Sequence, residues 1–150
     1  MNEKEIKVLI FSINDQFYAT DIMEVERILG YEVPTKLPDS PDFVEGVINY
    51  EGNILPIMSL AKKFNIPHNG VRDDAKIIVA KQEKNKIGII VDVVSEVCDV
   101  KVDNIEEAPE IVAGISKRYI KGLIKINKKI IIFLNLATIL TQEEKELILK

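Results

Sequence analysis

One segment of this chain occurs twice, and the repeat limits the folds that the chain can adopt. Gly46–Phe64 and Gly122–Leu140 align without a gap. Each copy has two apolar, β-branched runs around a polar connection, which predicts a β-hairpin. A helix-capping residue follows at matching positions, Ser59 and Asn135. Two unrelated hydrophobic hairpins would share the apolar pattern but not the register of glycine and cap, so we predict a duplicated small β unit.

The segments upstream of the two hairpins match less closely. Ile6–Ile10 resembles Ala75–Val79, and Asp21–Val25 resembles Asp92–Val97 with one inserted residue. The first pair of segments predicts strands. Pro56 cannot donate a backbone hydrogen bond, so it predicts an edge or a bulge in the second strand of the first hairpin.

Helical segments are few and short. Asp21 predicts an N-cap with Glu24 reaching back to it, and an apolar face ends before Gly30; that face consists of Ile22, Val25, Ile28 and Leu29. The pattern of residues 92–97 fits either a helical turn or a continuing strand. Thr141 and Glu144 form a capping-box pattern for a terminal helix to about Lys150. This helix is short, so we expect it to dock through Leu147 or Ile148.

Chain length predicts one domain made of two dependent units. The chain has 150 residues, the usual size of a single domain. Each half is too small for a stable core of its own. The loop at Asn65–Asp74 is the best boundary, which places subdomain 1 at about 15–70 and subdomain 2 at about 75–135. We expect the termini to pack across the seam, and we expect halves cut near Gly70 not to fold separately.

Charge and hydropathy exclude several classes of protein. The net charge is −4 with both signs interspersed, which disfavours a general nucleic-acid binder. No apolar run approaches the roughly 20 residues of a membrane-spanning helix. The charged start, Met1–Glu5, does not resemble a signal peptide. With a single cysteine, Cys98, no internal disulfide can form, so we expect a cytoplasmic protein.

An ordered set of motifs along nearly the whole chain resembles the CheW-type chemotaxis coupling proteins. The set is specific as a whole rather than through any single piece. It consists of Phe17–Ile22, Val25–Ile28, Leu37-Pro38, Pro41–Asn49, Ile87–Asp92, Val94–Val97, Ala108–Glu110 and Tyr119–Gly122.

The resemblance implies a fold and a function. The expected fold is mainly β: two intertwined, five-stranded SH3-like barrels with short helices and a C-terminal helix. Members of the family are adaptors without catalysis or cofactor. They couple a CheA-type histidine kinase, through its regulatory domain, to the cytoplasmic tips of methyl-accepting chemoreceptors. Such a protein works at membrane-associated receptor arrays through its partners, without inserting into the membrane.

The resemblance also implies which residues bind. The first barrel is expected to contact the kinase through Val25, Arg27, Gly46 and Glu51. The groove between the barrels is expected to receive the receptor through Gly88, Val94 and Val97. Gly46 is expected to tolerate no side chain because one would enter a contact between the barrels, so Gly46→Asp should weaken kinase binding.

Two positions depart from the family pattern with reversed charge. The family usually has Glu where this chain has Arg27, and Asn-Leu-Arg-Gly where this chain has Asn49-Tyr50-Glu51-Gly52. A swapped ion pair explains both changes at once. We therefore predict Arg27 and Glu51 within salt-bridge distance, where the end of a short helix meets the first hairpin turn. The alternative that these departures leave open is a divergent coupling paralogue in a non-chemotaxis array.

Catalytic and metal-binding patterns are not found in the sequence. The only histidine, His68, lies in a Pro-Gly loop, and Cys98 lies among valines, where it is typical of a core residue. Two such residues do not make a zinc site, and no glycine-rich phosphate loop is present. The second candidate function is a small SH3-like-barrel nucleic-acid-binding protein. Steep release of nucleic acid by salt would distinguish it from an adaptor.

Overall fold

A computed structural model describes residues 4–112 and 114–148 of the chain. The sequence expectations for the first three residues and for a helix end at about Lys150 lie outside the described residues. Of the helices in the described ranges, none has both the length and the apolar character needed to cross a membrane.

The described residues form thirteen strands and two short α-helices, with single 3₁₀ turns between them. The strands are β1 (Glu5–Ile13), β2 (Gln16–Asp21), β3 (Val25–Gly30), β4 (Val44–Tyr50), β5 (Asn53–Ser59), β6 (Lys76–Gln82), β7 (Asn85–Val91), β8 (Val93–Lys101), β9 (Ile105–Glu106), β10 (Ile111–Val112), β11 (Ile115–Ser116), β12 (Ile120–Ile126) and β13 (Lys129–Leu134). The helices are α1 (Leu60–Lys63) and α2 (Gln142–Ile148).

Two sheets carry the fold. The first barrel is a five-stranded sheet in the order β3-β6-β7-β5-β4, and the second barrel is a six-stranded sheet in the order β8-β1-β2-β13-β12-β9. Strands β10 and β11 form a separate small hairpin. The expected mainly β fold with two SH3-like barrels, short helices and a C-terminal helix is confirmed, with the two-residue strand β9 as a sixth strand in one sheet.

The two sequence repeats exchange their first hairpins. The first barrel combines β3, β4 and β5 of the first repeat with β6 and β7 of the second. The second barrel combines β1 and β2 of the first repeat with β8, β12 and β13 of the second. Each barrel draws strands from both halves of the chain, so the boundaries predicted at 15–70 and 75–135 do not coincide with the barrels, and the first range also leaves out β1. In each barrel, the borrowed hairpin joins the others through a parallel pair, β7 on β5 and β2 on β13.

Three apolar clusters fill the molecule, one inside each barrel and a larger one between them. The largest, here called the seam cluster, includes Leu9, Phe11, Met58, Ile89 and Leu134 from both barrels. Alternate residues of one strand face different clusters: on β7, Ile89 faces the seam and Ile90 the interior of the first barrel. Removing apolar surface from water stabilises a fold by about 25 cal/mol per Å². Each barrel covers the seam surface of the other, so each gains this stabilisation only while the other is present.

The helix predicted after Asp21 is wrong beyond its first turn. Asp21 does cap a 3₁₀ turn, accepting a hydrogen bond from the Met23 N–H, but β3 begins at Val25. Pairing with β6 supplies hydrogen bonds that override the helical pattern. Glu24 does not reach back; its carboxylate accepts the N–H of Leu136 in the second barrel at 3.0 Å.

Other local predictions are resolved as follows. The residues 92–97 left open by their pattern belong largely to β8. β5 pairs with both β4 and β7, but its ladder with β7 spans only Ile57–Ser59, so at Pro56 the strand has a partner on one side only, which agrees with the edge alternative of the prediction of an edge or a bulge. Pro56 lies just before the segment that pairs with β7, so its missing N–H disturbs no bond there.

The predicted caps are confirmed. Ser59 accepts the N–H of Lys62, and Asn135 accepts the N–H of Ala137. Thr141 and Glu144 exchange the two hydrogen bonds of a capping box.

Candidate functional site

Arg27 and Glu51 meet at one end of the first barrel. The guanidinium Nη2 lies 3.7 Å from Glu51 Oε2, and both side chains are about half exposed. The predicted proximity is confirmed, although Arg27 lies in strand β3 rather than at the end of a helix. Glu51 is held at the hairpin turn with a φ of 51°, in the left-handed region.

A network beside this pair closes the first barrel where β3 and β4 share no ladder. The Tyr50 hydroxyl donates to Glu26 Oε2 at 2.6 Å, and Lys86 Nζ lies 3.0 Å from the same oxygen. The hydrogen bond from Tyr50 and then the bond from Lys86 lower the pKa of Glu26. The same bond to Glu26, followed by burial, raises the pKa of Tyr50 to about 12.

This network fixes the hairpin turn relative to β3. It therefore sets the position of Arg27 against Glu51, with the Arg27 guanidinium 5.7 Å above the Tyr50 ring. Sequence reasoning missed the Glu26–Tyr50–Lys86 network, because its three members lie on three strands whose pairing no local pattern reveals.

Gly46 is indispensable for a different reason from the one expected. Its φ is 140°, and a Cβ at this position would lie 2.2 Å from the carbonyl oxygen of Thr35. Thr35 belongs to the loop that bridges to β4 within the first barrel, so the crowded contact is not between barrels. Gly46→Asp therefore tests folding before it tests binding.

Val25 begins β3 and is half-buried against the seam cluster. Val25 packs inward, whereas the side chains of Arg27 and Glu51 are about half exposed. The four residues expected to contact the kinase thus divide into an exposed charged pair and two residues, Val25 and Gly46, that pack internally.

Val94 and Val97 share one side of β8. They pair with Phe11 and Leu9, which are both seam-cluster residues, so both valines face the seam between the barrels. Val94 packs against the seam cluster, while Val97 is 50% exposed. Val97 is therefore the accessible apolar side chain at the seam edge.

Gly88 is buried in β7, away from this exposed surface, and its contact with a receptor stays a prediction. A Cβ at Gly88 would lie 2.5 Å from Cδ1 of Ile57 and 2.9 Å from Cγ2 of Ile77. Both isoleucines belong to the cluster inside the first barrel. Gly88 leaves room for their side chains, which is a packing role.

The two residues with reactive side chains are Cys98, which follows Val97 on β8 but packs against the cluster inside the second barrel, and His68, which lies in the loop after α1. Burial, followed by Glu96, raises the pKa of the Cys98 thiol, which makes it a poor nucleophile at neutral pH. His68 Nδ1 accepts a hydrogen bond from the N–H of Gly70 within its own loop. In the ranges 4–112 and 114–148, no three His, Cys, Asp or Glu residues converge in an arrangement able to hold a metal ion.

Comparison with known families and proteins gives a consistent result. The model of the CheW-like domain family matches residues 7–144. The chain is 32% identical to the chemotaxis protein CheW of Klebsiella aerogenes over 93% of its own length and 84% of that protein. It is 32% identical to the chemotaxis protein CheW of Thermotoga maritima over 93% of its own length and 90% of that protein.

A solved structure has the same fold. The crystal structure of the scaffolding protein TtCheW from Thermoanaerobacter tengcongensis superposes with a TM-score of 0.87 at 32% identity. The superposition covers 96% of this chain and 93% of that one. The exchanged hairpins and both barrels therefore fall within the matched region.

Proposed function

This chain belongs to the CheW-like domain family, and on that premise we propose that it couples a CheA-type histidine kinase to methyl-accepting chemoreceptors. It is a chemotaxis scaffold adaptor, and it acts without catalysis or cofactor. It works in the cytoplasm, at receptor arrays to which its partners recruit it. The observation that carries the proposal is the family match over residues 7–144, with both barrels included.

The kinase's regulatory domain binds the end of the first barrel that carries Arg27 and Glu51. Both side chains are half exposed there, on a turn that the Glu26–Tyr50–Lys86 network holds in place. Such preorganisation favours binding because little side-chain freedom remains to be lost. Val25 and Gly46 support this surface from within by fixing the positions of β3 and β4.

The receptor tip binds at the seam edge on β8. Val97 is the exposed apolar anchor, and Val94 beneath it links the surface to the seam cluster. A receptor tip is helical, and an apolar strip between two barrels suits one face of a helix. Gly88 contributes through the packing of the first barrel.

One substitution pair separates the receptor surface from general effects on the sheet. Val97 on β8 is 50% exposed, and Ile130 on β13 of the same sheet is 52% exposed. We expect Val97→Asp to weaken binding of a soluble receptor-tip fragment by about tenfold or more, since a carboxylate replaces an apolar anchor. Ile130→Asp serves as the matched control and should bind as the unaltered chain does.

Binding is measured by calorimetry with the receptor fragment and, separately, with the regulatory domain of a kinase from the same cell. Val97→Asp should retain its affinity for the kinase domain. Equal loss of receptor binding in Val97→Asp and Ile130→Asp would contradict the assignment of β8 to the receptor-binding surface. Failure of the unaltered chain to bind the kinase domain would overturn the coupling function itself.

A further inference from the structure

The C-terminal helix α2 is attached to the first barrel at two points. Lys63 Nζ contacts both carboxylate oxygens of Glu144, at 2.5 and 2.6 Å. At the other end of the helix, half-buried Ile148 packs on the seam cluster. No residue of α2 is fully buried, and Leu147 is 67% exposed. A seven-residue helix is not stable alone, so these two contacts decide whether it stays docked.

The first anchor is a cation held in a polar and aromatic enclosure. The Lys63 side chain is 7% exposed, with its Nζ 4.6 Å from the centre of the Phe43 ring and 5.4 Å from that of Tyr119. Burial alone would raise the pKa of Glu144, but the bonds from Lys63 and the Thr141 N–H lower it. A buried ammonium ion without its carboxylate is strongly unfavourable, so the residue that packs on Lys63, here Glu144, must be acidic.

The second anchor lies at the boundary between a covered and an open apolar surface. Ile148 borders a small cavity together with Val44, Pro56, Met58 and Ile87, and the residues of this cavity form the α2 seat. It also lines an open groove of about 580 Å³. The open groove is defined by Leu37, Val47, Ile54, Lys84 and Lys86, and Pro56 borders both surfaces. Ile54 is 77% exposed, so the apolar surface continues beyond the part that Ile148 borders.

We propose that α2 is a displaceable lid, and that the α2 seat with the open groove binds an acidic amphipathic helix of a partner protein. The contacts of α2 specify the chemistry of this helix. It carries a carboxylate for Lys63 and an aliphatic residue four positions later, as Glu144 and Ile148 do on one face of α2. This inference is independent of the proposed coupling function.

The open groove gives a partner helix its advantage over α2. A helix longer than α2 continues from the seat into the groove, where it covers Leu37 and Ile54 and places an acidic residue beside Lys84. Lys86 also lines the groove but pairs with Glu26, so Lys84 supplies the charge that complements an acidic helix. Because α2 is tethered at a high effective concentration, only a partner with such additional contacts displaces it.

The lid is tested by Glu144→Gln against Glu143→Gln. Both substitutions remove one charge from the same helix, but Glu143 is exposed and does not contact Lys63. We expect amide hydrogens of residues 145–148 to exchange about tenfold faster in Glu144→Gln. They should be unchanged in Glu143→Gln. Equal exchange rates in the two variants would contradict the proposal that α2 is a displaceable lid.

A thiol reporter checks that opening uncovers the seat. Val44 is 8% exposed, and Val44→Cys in a Cys98→Ser background places one thiol under α2. Its reaction with a maleimide should accelerate when Glu144→Gln is added and not when Glu143→Gln is added. Unchanged labelling in both variants would show that loss of the Glu144 charge does not uncover position 44.

The occupant is tested with a synthetic peptide that has the sequence of residues 139–150. It should bind Glu144→Gln about tenfold more tightly than the unaltered chain, whose own α2 competes. A peptide with glutamine in place of its residue 144 should lose this binding, and both peptides are compared on the same Glu144→Gln protein. Equal binding of the peptides with glutamate and with glutamine at residue 144, or no binding of either peptide to Glu144→Gln, would contradict the proposed occupant.

Discussion

At the scale of the residue, two glycines of the β4–β5 hairpin have positive φ in different surroundings. Gly46 faces the Thr35 carbonyl, whereas a Cβ at Gly52, with φ 79°, would have no neighbour within 4 Å. Gly46→Ala combines backbone strain with a backbone clash, and we expect it to lower the free energy of unfolding by about 3 kcal/mol or more. Gly52→Ala carries only the strain, roughly 1–2 kcal/mol. Urea unfolding measures both, and equal losses would exclude the clash.

The charge pair of Arg27 and Glu51 gives a second prediction at this scale. Both partners are about half exposed, so the pair stabilises the fold by no more than about 0.2–1 kcal/mol. Arg27→Glu sets two acids together, Glu51→Arg sets two bases together, and the double swap restores attraction. We expect both single variants to weaken kinase-domain affinity and the double variant to recover it, in a double-mutant cycle. Simple additivity would show that the two positions act independently.

At the scale of the element, the two repeated hairpins share their irregularities as well as their strands. Each has a β-bulge that ends at the repeated glycine, Gly46 in one and Gly122 in the other. Each turn has two successive residues of positive φ, Glu51-Gly52 in the first copy and Asn127-Lys128 in the second. The second copy thus has lysine, with φ 68°, at the turn position where the first has glycine.

We therefore expect Lys128→Gly to stabilise the protein. The left-handed conformation costs a residue with a side chain roughly 1–2 kcal/mol. The greater freedom of glycine in the unfolded chain offsets about 0.4–1 kcal/mol of this gain. The net increase in the free energy of unfolding should be about 0.5–1 kcal/mol, measured by urea denaturation. Lys84→Gly, in the β6–β7 turn without positive φ, is the control and should destabilise.

At the scale of the whole molecule, the exchange of hairpins makes each barrel depend on both halves of the chain. The loop at Gly70 lies between β5 and β6, which belong to the same sheet. A protease cut there leaves the sheets intact, so we expect the nicked protein to stay folded as a complex. The separated fragments should lose cooperative melting, because each has lost strands and its side of the seam.

Mixing the two fragments should restore both barrels, with circular dichroism and melting close to those of the intact chain. Two fragments that each melt cooperatively when separate would contradict this expectation. Such an outcome would mean that each repeat closes a barrel with its own hairpin, β1–β2 in the first and β6–β7 in the second.

Local sequence patterns correctly predicted the features whose causes lie within a few residues. Ser59, Asn135 and the Thr141–Glu144 box are satisfied by backbone groups two or three positions away. The repeated hairpins follow from alternation and turn chemistry in the same way. The family resemblance added the barrels and led to the prediction that Arg27 and Glu51 lie close together.

The assignment of each hairpin to a barrel depends on long-range contacts and could not be predicted from local sequence. The two repeats are similar, so local pattern cannot distinguish a hairpin that stays with its repeat from one that crosses, and long-range packing at the seam makes the choice. The same packing turned residues 25–30 from a predicted helix into β3, because β6 offers them a ladder. It also enclosed Lys63 and placed Gly88 inside a barrel, since both environments are assembled from segments far apart in the chain.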